Sequence, residues 1–358
     1  MRLLNVKTTL RVFFLTILLS FISVTSQART ADNIKYSPGI DPALEVTTTQ
    51  IRDALGLSPG NVISISTGTS DPVGFGIFND EATFFPTQGS SYFVMSSGDV
   101  ADALTANTSD STSTDLNGLN NSQGNDMVQT ILVLQPPVNA RCLAFDFAYY
   151  SEEFPEWVES GFNDIFIAEI GPSTFSIVND QVIAHNNFAF DTAGNAISIN
   201  TVSNVSVSNA AGTTYDGGTP LLTARTLLEN SGTPITVTLS IMDLGDSAYD
   251  STVFIDKFRW LDGVNCADLA TGVELNAVTS GNGVDLTLTT LAEPDTAELM
   301  ILRGEKLSNG GTKITSVCNF NSGDSPYTCR DSMIGNTYRV LEKEYNGDLI
   351  TYDEIVPK

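Results

Sequence analysis

The segment ITVTLSIMDLGDSAYDSTVFIDKFRW, residues 235–260, decides the fold. Ile235 to Met242 and Thr252 to Trp260 read as two β-strands, short runs rich in Val, Ile, Thr and Phe. Between them Asp243, Asp246 and Asp250 crowd a sharp turn around Gly245. Moving outward, Val62 to Thr67, Thr130 to Leu134, Cys142 to Tyr149, Asp164 to Ile170 and Ala196 to Ile199 read the same way, with Gly, Pro, Asn and Asp marking the turns. Helical periodicity is confined to Thr48 to Leu57, where Ile51, Ala54, Leu55 and Leu57 share a face and Gly56, Pro59 and Gly60 end it. Many short strands with polar turns predict an all-β chain, a large β-sandwich or jelly roll. The Ser-, Thr- and Asn-rich stretch from Ala106 to Asp126 is expected to be a long loop.

A boundary is expected near Ala267 to Gly272. Beyond it Val273 to Val278, Val284 to Thr290, Ala297 to Leu302, Tyr338 to Lys343 and Leu349 to Ile355 predict roughly five strands in a segment of immunoglobulin-like size. Asn282-Gly283 and Asn346-Gly347 suit hairpin turns. At the other end, Arg2, Lys7 and Arg11 precede the apolar run Val12 to Val24, and Ser26-Gln27-Ala28 carries small residues where a signal peptidase reads. The run is shorter than the ~20 residues of a spanning helix. A cleaved leader over residues 1–28 is expected. It would leave a soluble chain, secreted or held at the outer cell surface, with one domain over 29–267 and a second over 272–358.

Charge narrows the partners. The chain has 42 acidic and 17 basic residues, a net charge of -25. Nucleic acid binding rests on Lys and Arg, so it is excluded, and anionic membrane surfaces are disfavoured. With 16% charged and 41% hydrophobic residues the chain still has enough apolar surface for a core. The four cysteines, in an exported chain, imply two disulfides among three pairings. Cys142–Cys266 and Cys318–Cys329 are the expected pairs. Zinc would require close cysteine pairs or more than one histidine.

Ser151 to Phe166 (SEEFPEWVESGFNDIF) and Met242 to Phe254 (MDLGDSAYDSTVF) together resemble the bacterial choice-of-anchor L domain. Tyr92 to Val100 (YFVMSSGDV) and Asn107 to Gly118 (NTSDSTSTDLNG) fit the same pattern, and the resemblance covers roughly Asp41 to Cys266. It implies an exported or surface protein and little chemistry. Gly272 to Lys358 resembles a fibronectin type III-like module through Thr337-Tyr338-Arg339-Val340, with Leu288 where such modules often carry Trp. The final Glu354-Ile355-Val356-Pro357-Lys358 lacks the apolar helix and basic tail of a sorting anchor.

No catalytic residue is expected. A triad needs a base, and His185 is the one imidazole, without a Gly-x-Ser-x-Gly elbow. Paired carboxylates among Glu152, Glu153, Glu156 and Asp164 offer a glycoside hydrolase as an alternative. Calcium, which takes six to eight hard oxygens, is the expected cofactor. Two oxygen-rich turns would hold it: Glu152, Glu153, Asn163 and Asp164 on one, and Asp243, Asp246 and Asp250 on the other. The second lacks EF-hand spacing. Trp157 and Phe162 flank the first turn and Tyr249 the second, a setting suited to stacking sugars. The expected function is therefore a calcium-dependent binding or adhesion protein that recognises an extracellular polysaccharide or surface protein. The alternative is a matrix component docking through an exposed strand edge.

Overall fold

The computed structural model describes residues 46–358 apart from 69–70, 109–111, 117–118, 122–123, 172, 179–180, 229–230, 262–272, 294, 308–310, 324 and 345–348. The leader expected at 1–28, the boundary at 267–272 and Cys266 lie outside the described residues. The fold is all-β, built from antiparallel sheets.

Among the described residues one α-helix stands, α1 (Thr48–Ala54), and it starts at a capping box: the Thr47 hydroxyl accepts from the Gln50 amide at 3.3 Å, and the Gln50 side chain accepts from the Thr47 amide at 2.8 Å. It ends three residues before the expected Leu57. Gly56 turns left-handed at φ +71°, and Leu55 and Leu57 are buried from the turn.

The strands before residue 262 are β1 (Val62–Thr67), β2 (Phe75–Phe78), β3 (Tyr92–Ser96), β4 (Leu119–Asn121), β5 (Gly124–Leu134), β6 (Cys142–Ser151), β7 (Ile165–Ile170), β8 (Ser176–Val178), β9 (Gln181–Ile183), β10 (Ile197–Ser198), β11 (Gly217–Gly218), β12 (Leu222–Leu227), β13 (Ile235–Asp243) and β14 (Ser251–Leu261). One sheet runs β1-β5-β13-β7-β10 with β4 added on β5. The other runs β11-β6-β14-β3-β2 with β12 added on β6. β8 and β9 form a separate ribbon. The expected loop Ala106 to Asp126 thus closes in a hairpin, because β4 pairs with the start of β5.

Between the two sheets lies the main core, with Leu132, Val237, Leu239 and Ile241 meeting Phe145, Phe147, Val253 and Ile255. The outer face of the second sheet is covered as well: Tyr92, Tyr150 and Phe254 pack under Phe85, Ala210 and Tyr215 from loops. Every residue of β6 is therefore buried, which is why its sequence shows no polar alternation. Each fully buried Phe contributes about 1.5–3 kcal/mol.

After residue 272 the strands are β15 (Glu274–Ser280), β16 (Gly283–Thr289), β17 (Thr296–Lys306), β18 (Thr312–Asn321), β19 (Tyr327–Asp331), β20 (Thr337–Glu344) and β21 (Leu349–Thr351). Sheets β15-β16-β19 and β18-β17-β20-β21 enclose Leu286, Leu288, Leu299, Ile301 and Val340. The expectation of roughly five strands misses β18 and β19. β18 is largely exposed and Thr-rich, and β19 is five residues with Tyr327 as its one large apolar side chain, so neither has an apolar face long enough to read. Cys318 of β18 and Cys329 of β19 form the expected disulfide and so tie the two sheets together. Cys142 is also disulfide-bonded. The two sandwiches meet where Asp295 accepts from the Leu227 amide at 2.7 Å and the Thr226 hydroxyl at 3.1 Å.

Candidate functional site

Strand register gathers the acids. Met242 pairs with Ile165, so Asp243 at the end of β13 stands beside Asp164, the residue just before β7. Asp243 itself pairs with Asn125 near the start of β5. In the facing sheet Ser251 pairs with Ser151, which sets Asp250 beside Glu152, and the Glu152 amide donates to the Asp250 carbonyl at 3.2 Å. Thr252 pairs with Ser96, which brings Ser97 and Gly98 to the same place. Both sheets thus reach one end of the sandwich on Asp, Glu and Ser.

The two oxygen-rich turns are in direct contact. The Asn163 amide donates to the Leu244 carbonyl at 3.1 Å, and the Leu244 amide returns a bond to Asp164 Oδ1 at 3.2 Å. Gly245 makes this approach possible. It sits at φ +104°, and a Cβ there would lie 2.7 Å from the Gly161 carbonyl oxygen. Glu153 reaches across its own turn to accept the Asp164 amide at 3.1 Å.

The carboxylates differ in what surrounds them. Asp243 is 0% exposed, and neither of its side-chain oxygens has a hydrogen-bond partner. Asp164 is 1% exposed, and its Oδ2 likewise has none. Asp250 accepts from the Thr114 amide at 3.2 Å. Its carboxyl presses on Gly98, where a Cβ would fall 1.7 Å from Oδ2. Asn163 turns its oxygen to the Asn200 amide at 3.0 Å, and Asp246, half-buried, accepts from the Ala248 amide at 3.1 Å. Among the described residues no Lys or Arg pairs with Glu153, Asp164, Asp243 or Asp250.

Burial then acts on every proton. It pushes Glu153 up to about 8, with Asp246 adding repulsion against the bond from the Asp164 amide. It lifts Asp250 to about 8 as well, reinforced by Asp126, Asp102 and Glu152. Asp164 and Asp243 are raised well above the ordinary carboxylate range, first by burial and then by neighbouring acids.

Three residues that strand reading alone passes over belong here. Ser97 lies beside Asp243, and its hydroxyl accepts from the Ser251 amide at 2.9 Å. Asp126, buried at the start of β5, repels Asp243 and Asp250 and is itself raised to about 6 by burial. Thr112 lays the loop over this end: its carbonyl accepts the Asp250 amide at 2.9 Å. Ser97 lies within the YFVMSSGDV motif, so that signal was present. Asp126 carried none, since it read as the last residue of a loop.

Trp157, Phe162 and Tyr249 come together on the rim. Trp157 meets Phe162 edge-on with ring centres 5.2 Å apart, and Tyr249 at 5.8 Å. All three are half-buried, and Tyr249 holds a left-handed φ of +67°. Among the described residues no group of three or more Asp, Glu, His or Cys side chains is placed, as it stands, to hold a metal ion, and none of the helices is long and apolar enough to cross a membrane.

The chain matches the Choice-of-anchor L domain family over residues 48–258. No curated protein matches it. Among solved structures, a β-1,2-glucanase from Parabacteroides distasonis is 12% identical, with 84% of this chain and 38% of that one covered at a TM-score of 0.24. The adhesin domain of Epf from Streptococcus pyogenes is 11% identical, with 64% and 70% covered at a TM-score of 0.20. The glycoside hydrolase domain of Endo-D from Streptococcus pneumoniae is 11% identical, with 81% and 37% covered at 0.18. This chain spans well under half of the glucanase. Overlaps this loose give no basis for carrying over an activity.

Proposed function

The chain belongs to the choice-of-anchor L domain family, and from that premise we propose that it is an adhesion module that captures extracellular polysaccharide at the acid end of its first sandwich, in a calcium-dependent manner. The family fits a cell-surface or secreted protein, and the leader expected at 1–28 supplies the route out. The observation that carries the reading is the half-buried trio Trp157, Phe162 and Tyr249 set against buried carboxylates. Aromatic faces take the apolar faces of sugar rings, and a hard cation held by the buried acids would order the turns that carry them. Binding is favoured over hydrolysis for a physical reason. Glu153 and Asp164, an acid pair a glycosidase would need, are each 1% exposed, too deep for a glycosidic bond to reach.

In this reading residues 272–358 form a fibronectin type III-like spacer. The three-plus-four strand order supports it. So does Tyr338, the second residue of β20, whose hydroxyl donates to the Met333 carbonyl at 3.2 Å in the manner of a tyrosine corner. A second reading, a matrix component, is favoured by the long edge strand β18, where Ile314 is 44% exposed.

The test is retention of the full chain on a panel of insoluble polysaccharides with 2 mM calcium (on the order of the weakest extracellular sites) and with chelator. Retention on at least one polysaccharide, lost in Trp157→Ala and in chelator, is expected. If nothing is retained while the chain self-associates and Ile314→Lys abolishes that, the matrix reading replaces it.

A further inference from the structure

Asp243 is the hub of the acid end. It faces Asp164 on the neighbouring strand and feels Asp250 and Asp126 from the other side, with the Ser97 hydroxyl also beside it. A carboxylate held wholly out of water loses its hydration, and the Ser97 hydroxyl beside it offsets only part of that cost. Asn or Leu at this position would avoid that cost, yet an acid stands here beside a second acid with an unpartnered oxygen. Such an arrangement is stable when a cation completes it.

We propose that Asp243 and Asp164 hold a single calcium ion between them, with Asp250 as the third acidic ligand. The three unpartnered oxygens of Asp243 and Asp164 form its nucleus. The Ser97 and Ser251 hydroxyls and water lie within the chemistry that fills the remaining positions of a six- to eight-oxygen shell. Every polar side chain here is an oxygen donor, which selects calcium over zinc or copper. Closing the shell means drawing Asp250 off Gly98 toward Asp243.

The same ion organises the loop above it. Asp250 is bonded to the strap at two points, through Thr114 and through Thr112. Farther along, the Ser247 hydroxyl donates to Asp115 at 2.7 Å. Fixing Asp250 therefore fixes the strap over the end of the sandwich and steadies the turn that carries Tyr249. This deepens the adhesion reading and rests on it only for what the ion serves.

Calorimetric titration of the chelator-treated full chain with calcium chloride, paired with thermal melts, tests it. The wild type is expected to bind one ion and to melt higher with calcium. Asp243→Asn should abolish both responses while melting at least as high as the wild type in chelator, since it replaces a buried acid crowded by other acids and keeps the shape. Asp164→Asn should weaken binding at least tenfold. Two results overturn the proposal: a folded Asp243→Asn that binds calcium like the wild type, or a folded wild type that takes up no calcium. Polysaccharide retention is scored separately, so loss of the adhesion reading leaves this result legible.

Discussion

Two buried aspartates meet burial in opposite ways. In the second sandwich Asp331 is answered from within the chain: one guanidinium nitrogen of Arg303 donates to both of its oxygens at 2.8 Å, the Tyr338 hydroxyl to Oδ2 at 2.8 Å and the Met333 amide to Oδ1 at 3.1 Å. Burial would raise its pKa, but these partners outweigh it and hold the carboxyl below its ordinary value. In the first sandwich Asp243 meets other acids and a serine. The difference teaches where a base-poor chain places its few cations: with 17 basic residues against 42 acidic ones, Asp331 has an internal cation, whereas the acids around Asp243 have none among the described residues.

The comparison is broken most directly by replacing each acid with its amide. Asp331→Asn strands the buried Arg303 and is expected to cost about 3–5 kcal/mol in urea unfolding. Tyr338→Phe, which removes the single hydroxyl proton that Asp331 Oδ2 and the Met333 carbonyl share, should cost about 1.5–3 kcal/mol. Asp243→Asn should do the reverse in chelator and stabilise the protein by about 1–2 kcal/mol. If both amides destabilise alike in chelator, the two aspartates are equivalent and the contrast fails.

Acid and base sharpen it further. Asp331 has a depressed folded pKa, so its contribution is present above about pH 4 and is lost as pH falls through the folded value. Glu153 and Asp250 are raised to about 8. The folded chain keeps protons that the unfolded chain has released, so their effect favours folding fully below about pH 4 and is lost as pH rises to about 8. Melts in chelator should therefore fall by a few degrees between pH 5 and 8, and calcium should flatten that slope. A metal-free melt that climbs over this range would contradict the burial of these acids.

Much of this was legible in the sequence. The β-run either side of Asp243 to Asp250 predicted β13 and β14, and Cys318 and Cys329 were expected to pair. The acidic turns and their aromatic flanks were visible because Gly, Asp and Trp in so short a span have few uses. The strands β18 and β19 were not, because an exposed strand such as β18 needs no apolar alternation and five residues are too few to show one in β19. The double cover of β6 was hidden for the opposite reason: a strand buried on both faces has no pattern to alternate.

Composition and local pattern by themselves determined an all-β chain, the two acidic turns and the scarcity of internal counter-ions, since each follows from residue type and near neighbours. Only the tertiary structure decided that Asp164 and Asp243 stand side by side, that Asn163 turns to Asn200 instead, and that Ser97, Asp126 and the strap join them. Register across a sheet pairs residues that lie 79 positions apart, from 164 to 243, and no local propensity encodes a partner at that distance.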